Sequence, residues 1–269
     1  MMNDDSSQTL VNRYVRQTVY APLGVEGQRR LAAGQVLICG CGALGSTLAN
    51  MLGRAGVGRL RIVDRDRVDR HNLHRQSLFD ELDAARQAPK AVAAADHLAI
   101  VNSEVTIEAI VGEIARDNIE RLLEGVDVIV DGTDNFETRY LINDAAVKHG
   151  VPWVYGGCVG TRGQMMAIVP GRTPCLRCLW PECPAPGSVP TCPTHGILGP
   201  TVGVIASLEA MEAIKLLAGA AEAVSPVLTV IELWENRIRQ VDLAGLRAGS
   251  ECPTCKQGRF DWLEPCDHL

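Results

Sequence analysis

Gln35-Val36-Leu37-Ile38-Cys39-Gly40-Cys41-Gly42-Ala43-Leu44-Gly45 decides the fold. A five-residue apolar run breaks into glycines spaced G-x-G-x-x-G, and apolar positions then continue at helical spacing through Leu52. Such a run suits a strand buried on both faces of a parallel sheet. Glycines at 40, 42 and 45 permit a tight turn and let a ligand phosphate approach the positive start of a helix. Working outward, Gly53 and Gly56 end that helix, and residues 60–63 read as a second strand closed by Asp64. The unit is βαβ. A carboxylate about 20 residues past the turn is placed to accept a ribose hydroxyl, so an NAD-dependent oxidoreductase fits these residues as well as an ATP-binding protein does.

Further along, Pro89 opens a helix in its favoured first-turn position, and strands are expected over 105–110 and 126–130. A helix over 138–149 precedes short strands at 151–155 and 164–169. Residues 170–200 carry eight prolines, a composition for irregular chain tied down by something other than packing. A helix over 202–217 comes next, with Ile205, Leu208, Met211 or Glu212, and Lys215 tracing its turns. Strands 227–234 and 237–243 read as a closing hairpin around Glu235-Asn236.

The chain has 269 residues, 46% hydrophobic and 22% charged, inside the globular range. With 26 Lys and Arg against 32 Asp and Glu its net charge is -6, so no global positive field exists for nucleic acid or anionic lipid. Any anion site is local. No apolar stretch approaches the ~20 residues that span a bilayer. The acidic opening MMNDD lacks the basic start and apolar stretch of a secretory signal, and the chain reads as cytoplasmic. Its ten cysteines are then reduced thiols, to be read for metal or catalysis first.

Between 59 and 75 stand six arginines and three aspartates, a local basic patch suited to a triphosphate. Arg65, Arg67 and Arg70 read as a solvated loop. Asp134 lies just past a buried strand, where ligands collect in open α/β sheets; it suits Mg²⁺ or a helix cap, and both roles can coexist. Cys175-x-x-Cys178 and Cys252-x-x-Cys255 are two knuckles with the ligand spacing of a tetrahedral structural Zn²⁺. Cys192 is a nucleophile candidate, its thiol open to a lowered pKa near a helix start and cations, with a passive thiol the equal alternative. Cys39 and Cys41 read as small core residues, while Cys158, Cys183 and Cys266 have no assignable partner.

Arg13-Tyr14-Val15-Arg16-Gln17, the 40–45 turn, Asp64-x-Asp66, Asn72-Leu73-His74-Arg75-Gln76, Pro89-Lys90, Thr133-Asp134-Asn135, Arg139 and both cysteine pairs occur in one order. That order resembles the ThiF, MoeB and ubiquitin-activating-enzyme superfamily of adenylylating enzymes over nearly the whole chain. The resemblance implies one α/β domain over 1–269. A Rossmann-like, ATP-binding half over about 1–150 would continue into a mixed-sheet, carrier-binding half over about 151–269, pinned by zinc. It implies that Gly40, Gly42, Gly45, Asp64, Gln76 and Asn135 bind ATP, and that Asn72, Arg75 and Lys90 hold its phosphates. Asp134 would carry Mg²⁺, and Arg16 would reach the ATP of the other subunit of a homodimer.

The implied substrate is the C-terminal glycine carboxylate of a ubiquitin-like sulfur carrier, with a separate protein as sulfur donor. Cys178-Leu179-Trp180-Pro181 and the Thr191-Cys192 loop look more like the ThiF branch, serving ThiS, than the MoeB branch, serving MoaD. In that branch Cys192 would take part in sulfur handover. Cys41 in the glycine turn and His71, where relatives often carry Ser, depart from the pattern without removing a charge or a glycine. Two other classes stay open: an NAD-dependent oxidoreductase, which leaves Arg16, Arg75, Lys90 and Asp134 idle, and a non-catalytic zinc scaffold for the carrier.

Overall fold

The computed structural model describes residues 13–185, 187–249 and 251–264; Cys266 lies outside them. In chain order the strands are β1 (Gln35–Cys39), β2 (Arg59–Asp64), β3 (Thr106–Val111), β4 (Val128–Asp131), β5 (Trp153–Val159), β6 (Arg162–Ile168), β7 (Val227–Glu232) and β8 (Arg237–Asp242). They form one sheet ordered β3-β2-β1-β4-β5-β6-β7-β8. The first five run parallel and β6 to β8 join antiparallel. The parallel part is doubly wound, and its order reverses between β1 and β4.

The longer helices are α1 (Gly24–Ala33), α2 (Ala43–Ala55), α3 (Lys90–Val101), α4 (Phe136–His149) and α5 (Gly199–Leu217). Val36 and Ile38 of β1 join the core under α2, α3 and α5, while Leu37 and Cys39 face a second core with α4 and the cysteine-rich segments. All four are fully buried, which explains the unbroken apolar run: each side chain removes a whole surface from water, worth about 1.5–3 kcal/mol for a Leu or Ile. The outermost strand, β8, has all six residues exposed.

α5 begins at Gly199 and buries Thr201, Val202, Ile205, Ala206, Glu209, Ala210, Ala213 and Leu217. The face expected through Leu208, Met211 and Lys215 is displaced around the helix, and Met211 is exposed. The true stripe runs through an acid, so apolar spacing alone misses it. Nor does the sequence announce α1. That helix buries only Gly27, Gln28 and Leu31, too thin a stripe to stand out.

Candidate active site

The loops leaving β1 and β4 touch at the point where strand order reverses. Gly40 has φ 86°, and a Cβ there would stand 2.7 Å from the Gly132 carbonyl oxygen. A Cβ on Gly45 would run into the Gly40 carbonyl. The amides of Gly132 and Gly40 donate to Cys39 O at 2.8 Å and Val63 O at 2.9 Å, stitching three strand ends together. α2 opens at Gly42 with no side-chain cap, so its first amides are available to an anion.

Asp64 braces this turn: its carboxylate accepts from the amides of Cys41 at 2.6 Å and Asp66 at 2.7 Å. Burial pushes its pKa up against the pull of those two amides. Asn72 is buried in a short turn, Arg70–Asn72, where its Oδ1 accepts from the Asp69 amide at 3.0 Å. Gln76 is buried with its amide nitrogen 3.9 Å from where a Gly42 Cβ would lie, and its Oε1 has no partner among the described residues. The orphaned oxygen is an acceptor and would need a donor, while the amide nitrogen beside Gly42 is the group able to donate to an anion at the turn.

Lys90 is buried, and its Nζ donates to Asp66 Oδ2 at 2.8 Å. Arg75 donates to the His71 carbonyl at 2.9 Å. The outer arginines behave as a solvated loop: Arg65 pairs with Glu113 at 2.6 Å, Arg70 with Glu81 at 3.5 Å, and Arg67 donates to Gln87 O at 2.7 Å.

On the opposite lip the cap of α4 is Asn135, whose side chain accepts from the Thr138 amide at 2.8 Å. Asp134 is therefore exposed and released from capping. Asp131 Oδ1 accepts from the Thr133 amide at 2.8 Å and its hydroxyl at 2.7 Å. Arg139 donates to Asp131 Oδ2 at 2.9 Å, Thr133 O at 2.8 Å and Gly156 O at 3.0 Å. Its guanidinium also packs over the rings of Phe136 and Tyr155, 5.4 and 5.3 Å from their centroids. Asp131 and Glu209 carry no signal in the sequence beyond their positions, a strand end and the buried stripe of a helix.

Cys192 starts a short helix, Cys192–His195, and its thiol donates to Cys158 O at 3.4 Å. Burial raises its pKa, with Arg75 and Arg139 pulling it down and Asp134 pushing it up. A lowered thiol pKa is not what this surrounding produces.

In the amino-terminal segment, Arg13 donates to Asn102 Oδ1 at 2.5 Å and the Tyr14 hydroxyl accepts from Asn102 Nδ2 at 2.8 Å. Gln17 donates to Gln28 Oε1 at 2.7 Å and Ala55 O at 3.0 Å. Arg16, between these anchors, is exposed and makes no side-chain bond to another described residue.

The four cysteines come together, with all their sulfurs within 4.8 Å of one another. Cys175 lies 3.9 Å from Cys178 and 3.5 Å from Cys252, and Cys178 lies 3.4 Å from Cys255. These spacings are too long for disulfides and close to the ~3.8 Å edge of a tetrahedron with 2.3 Å metal–sulfur bonds, so the donor set fits Zn²⁺. Around it, Arg177 bonds Thr254 at 3.3 Å and Asp261 at 3.0 Å, and Thr254 donates to Asp144 at 2.9 Å. The knuckles thereby bind the carboxyl-terminal segment to α4.

Among relatives, a Bacillus subtilis sulfur carrier protein ThiS adenylyltransferase is 44% identical over 94% of this chain and 74% of its own. The SAMP-activating enzyme E1 of Haloferax volcanii is 37% identical over 97% and 94%. A crystal structure of E. coli MccB with MccA-N7isoASN superposes with a TM-score of 0.72 at 25% identity, covering 86% of this chain and 72% of that one. The ThiF family model matches residues 14–254, nearly the whole chain: this protein belongs to the ThiF family.

Proposed function

We propose that this protein is an ATP-dependent adenylyltransferase that activates the C-terminal glycine carboxylate of a ubiquitin-like sulfur carrier of ThiS type. The observation that carries the reading is the crevice itself. An uncapped helix start lies at a glycine turn that touches the loop leaving β4, the loop that carries the exposed Asp134, and the buried Gln76 side chain stands beside Gly42. The ThiS adenylyltransferase name of a 44% identical relative supplies the reaction and substrate class.

In this reading Asp64 and the turn of Gly40, Gly42 and Gly45 hold the nucleoside end, and Asn72, Gln76, Arg75 and Lys90 line the phosphates. Asn135 acts by shaping the loop through its cap. Asp134 is the residue for Mg²⁺, which adds positive charge at the phosphates. The carrier carboxylate, already ionised at pH 7, attacks the α-phosphorus without a general base. A C–O–P link forms, the bond to the β-phosphate breaks, and pyrophosphate carries off the negative charge. Attack of one anion on another is opposed by repulsion, so the fixed cations Arg75 and Lys90 provide the main stabilisation. Lys90 comes to that task oriented by Asp66.

Arg16, exposed between anchored neighbours, would complete the site of the second subunit of a homodimer. Zn²⁺ on Cys175, Cys178, Cys252 and Cys255 is structural, and sulfur arrives from a separate protein. No helix of the described residues is long and apolar enough to cross a membrane, in keeping with a cytoplasmic enzyme.

The test is the intact mass of a ThiS-like and a MoaD-like carrier after incubation with the protein and Mg-ATP, with pyrophosphate monitored in parallel. An AMP-sized gain on the ThiS-like carrier is the expected result. A gain on the MoaD-like carrier alone moves the protein to that branch. No adduct and no pyrophosphate with either overturns adenylation of these carriers, and NAD binding becomes the next measurement.

A further inference from the structure

α4 carries two adjacent polar side chains that adenylation does not use. Asn143 and Asp144 are fully buried, and each holds a different cysteine knuckle. The Leu176 amide, between Cys175 and Cys178, donates to Asn143 Oδ1 at 2.8 Å. The Thr254 hydroxyl, between Cys252 and Cys255, donates to Asp144 Oδ1 at 2.9 Å, and the Trp262 amide donates to Asp144 Oδ2 at 3.0 Å. One turn earlier on the helix, the Tyr140 hydroxyl donates to the carbonyl oxygens of Trp180 and Glu182, 2.7 Å from each, where the chain leaves the first knuckle. Arg177 spans the two knuckles, with Nη1 on the Thr254 hydroxyl at 3.3 Å and Nη2 on Asp261 at 3.0 Å.

None of these bonds involves a sulfur, and none needs an ion. The knuckles stand 77 residues apart in the chain, yet consecutive residues of one helix fix both. Where ligands are loose, metal binding must also order the chain that carries them, and affinity falls by that cost. A donor set already held in place avoids it. We propose that Asn143 and Asp144 are positioning residues of the metal site: they dock the two knuckles in register on α4, so that the four sulfurs are gathered before metal arrives. The inference rests on the zinc reading of Cys175, Cys178, Cys252 and Cys255 and goes beyond it, because it assigns the register of the ligands to the helix. Zinc then stabilises an arrangement that it does not itself create.

The test uses the full chain, reduced, stripped of metal by a chelator and titrated with Zn²⁺ against a chromophoric competitor. N143A and T254V each remove one grip on one knuckle, and each should weaken Zn²⁺ binding about 10–100-fold, the usual effect of losing an outer-shell partner. T254S keeps the hydroxyl and should bind as wild type does. In the stripped protein, hydrogen exchange of the 251–264 peptide should be slow in wild type and at least about threefold faster in T254V, because the docking precedes the ion. Should N143A not fold, T254V and T254S decide alone. A Zn²⁺ affinity of T254V within about twofold of wild type overturns the proposal. So does a stripped wild type whose 251–264 peptide exchanges as fast as that of T254V, since the ion would then be what sets the register. If wild type binds no Zn²⁺, the zinc reading fails, while the exchange rates still judge the docking on α4.

Discussion

The glycine crevice and the four-cysteine knot draw on opposite ends of the chain and are held by different forces. In the crevice, backbone amides and glycine carbonyls close the turn, and the functional cations rest on partners that water can replace. Asp66, the partner of Lys90, has its side chain 58% exposed, and Arg75 leans on a backbone carbonyl. In the knot, four thiols and the Arg177, Thr254 and Asp144 bonds gather two distant segments that also bury Leu176 and Leu263 in the core beside α4. The difference teaches that one region carries rate on a fold that survives without it, while the other carries fold at a distance from the chemistry.

Lys90→Ala is the strongest attempt to break that division. Loss of a fixed cation at a developing pyrophosphate should lower kcat by ~10²–10³. The abandoned Asp66 turns to solvent and the buried stem of Lys90 is lost, so the fold should lose about 1–2 kcal/mol. Pyrophosphate release and thermal melting of the same sample check both halves. A melting point depressed as far as in a cysteine variant would erase the distinction.

Cys252→Ser attacks from the other side. It removes one of four ligands that tie the carboxyl-terminal segment down, and the expected loss is about 2–5 kcal/mol of stability, comparable to losing a native cross-link. Elemental analysis should show zinc falling from equimolar, and kcat per folded molecule should stay within about threefold. Unchanged melting with zinc gone would mean that packing around Asp144 holds the knot unaided.

Local patterns make much of both regions legible. β1, its glycines and the two cysteine pairs are contiguous motifs whose residue types have few other uses, and the structure brings each set together. The hidden features depend on contacts far apart in sequence. The pairing of Lys90 with Asp66 spans 24 residues, and nothing in either neighbourhood announces it. The choice between Asp134 and Asn135 as the cap of α4 turns on backbone angles at adjacent positions, where both residue types cap helices well. Glu209 escapes notice because a charge-bearing side chain on a buried stripe breaks the apolar pattern that defines the stripe.

Cys192→Ser should have the smallest effect on adenylation, and it sharpens the boundary within the crevice itself. The thiol stands among the charges that handle phosphate, yet burial raises its pKa and Asp134 adds to the rise, so Arg75 and Arg139 do not make it a thiolate at neutral pH. Attack on the α-phosphorus is made by the carrier carboxylate, and a serine hydroxyl can donate to Cys158 O as the thiol does. Pyrophosphate release at pH 7 should therefore stay within about twofold of wild type, the range of a substitution outside the transition state. A loss approaching that of Lys90→Ala would place the sulfur in the first chemical step. Retained adenylation, with any later sulfur transfer to the carrier abolished, would assign the cations to activation and the thiol to a second step on the acyl-adenylate.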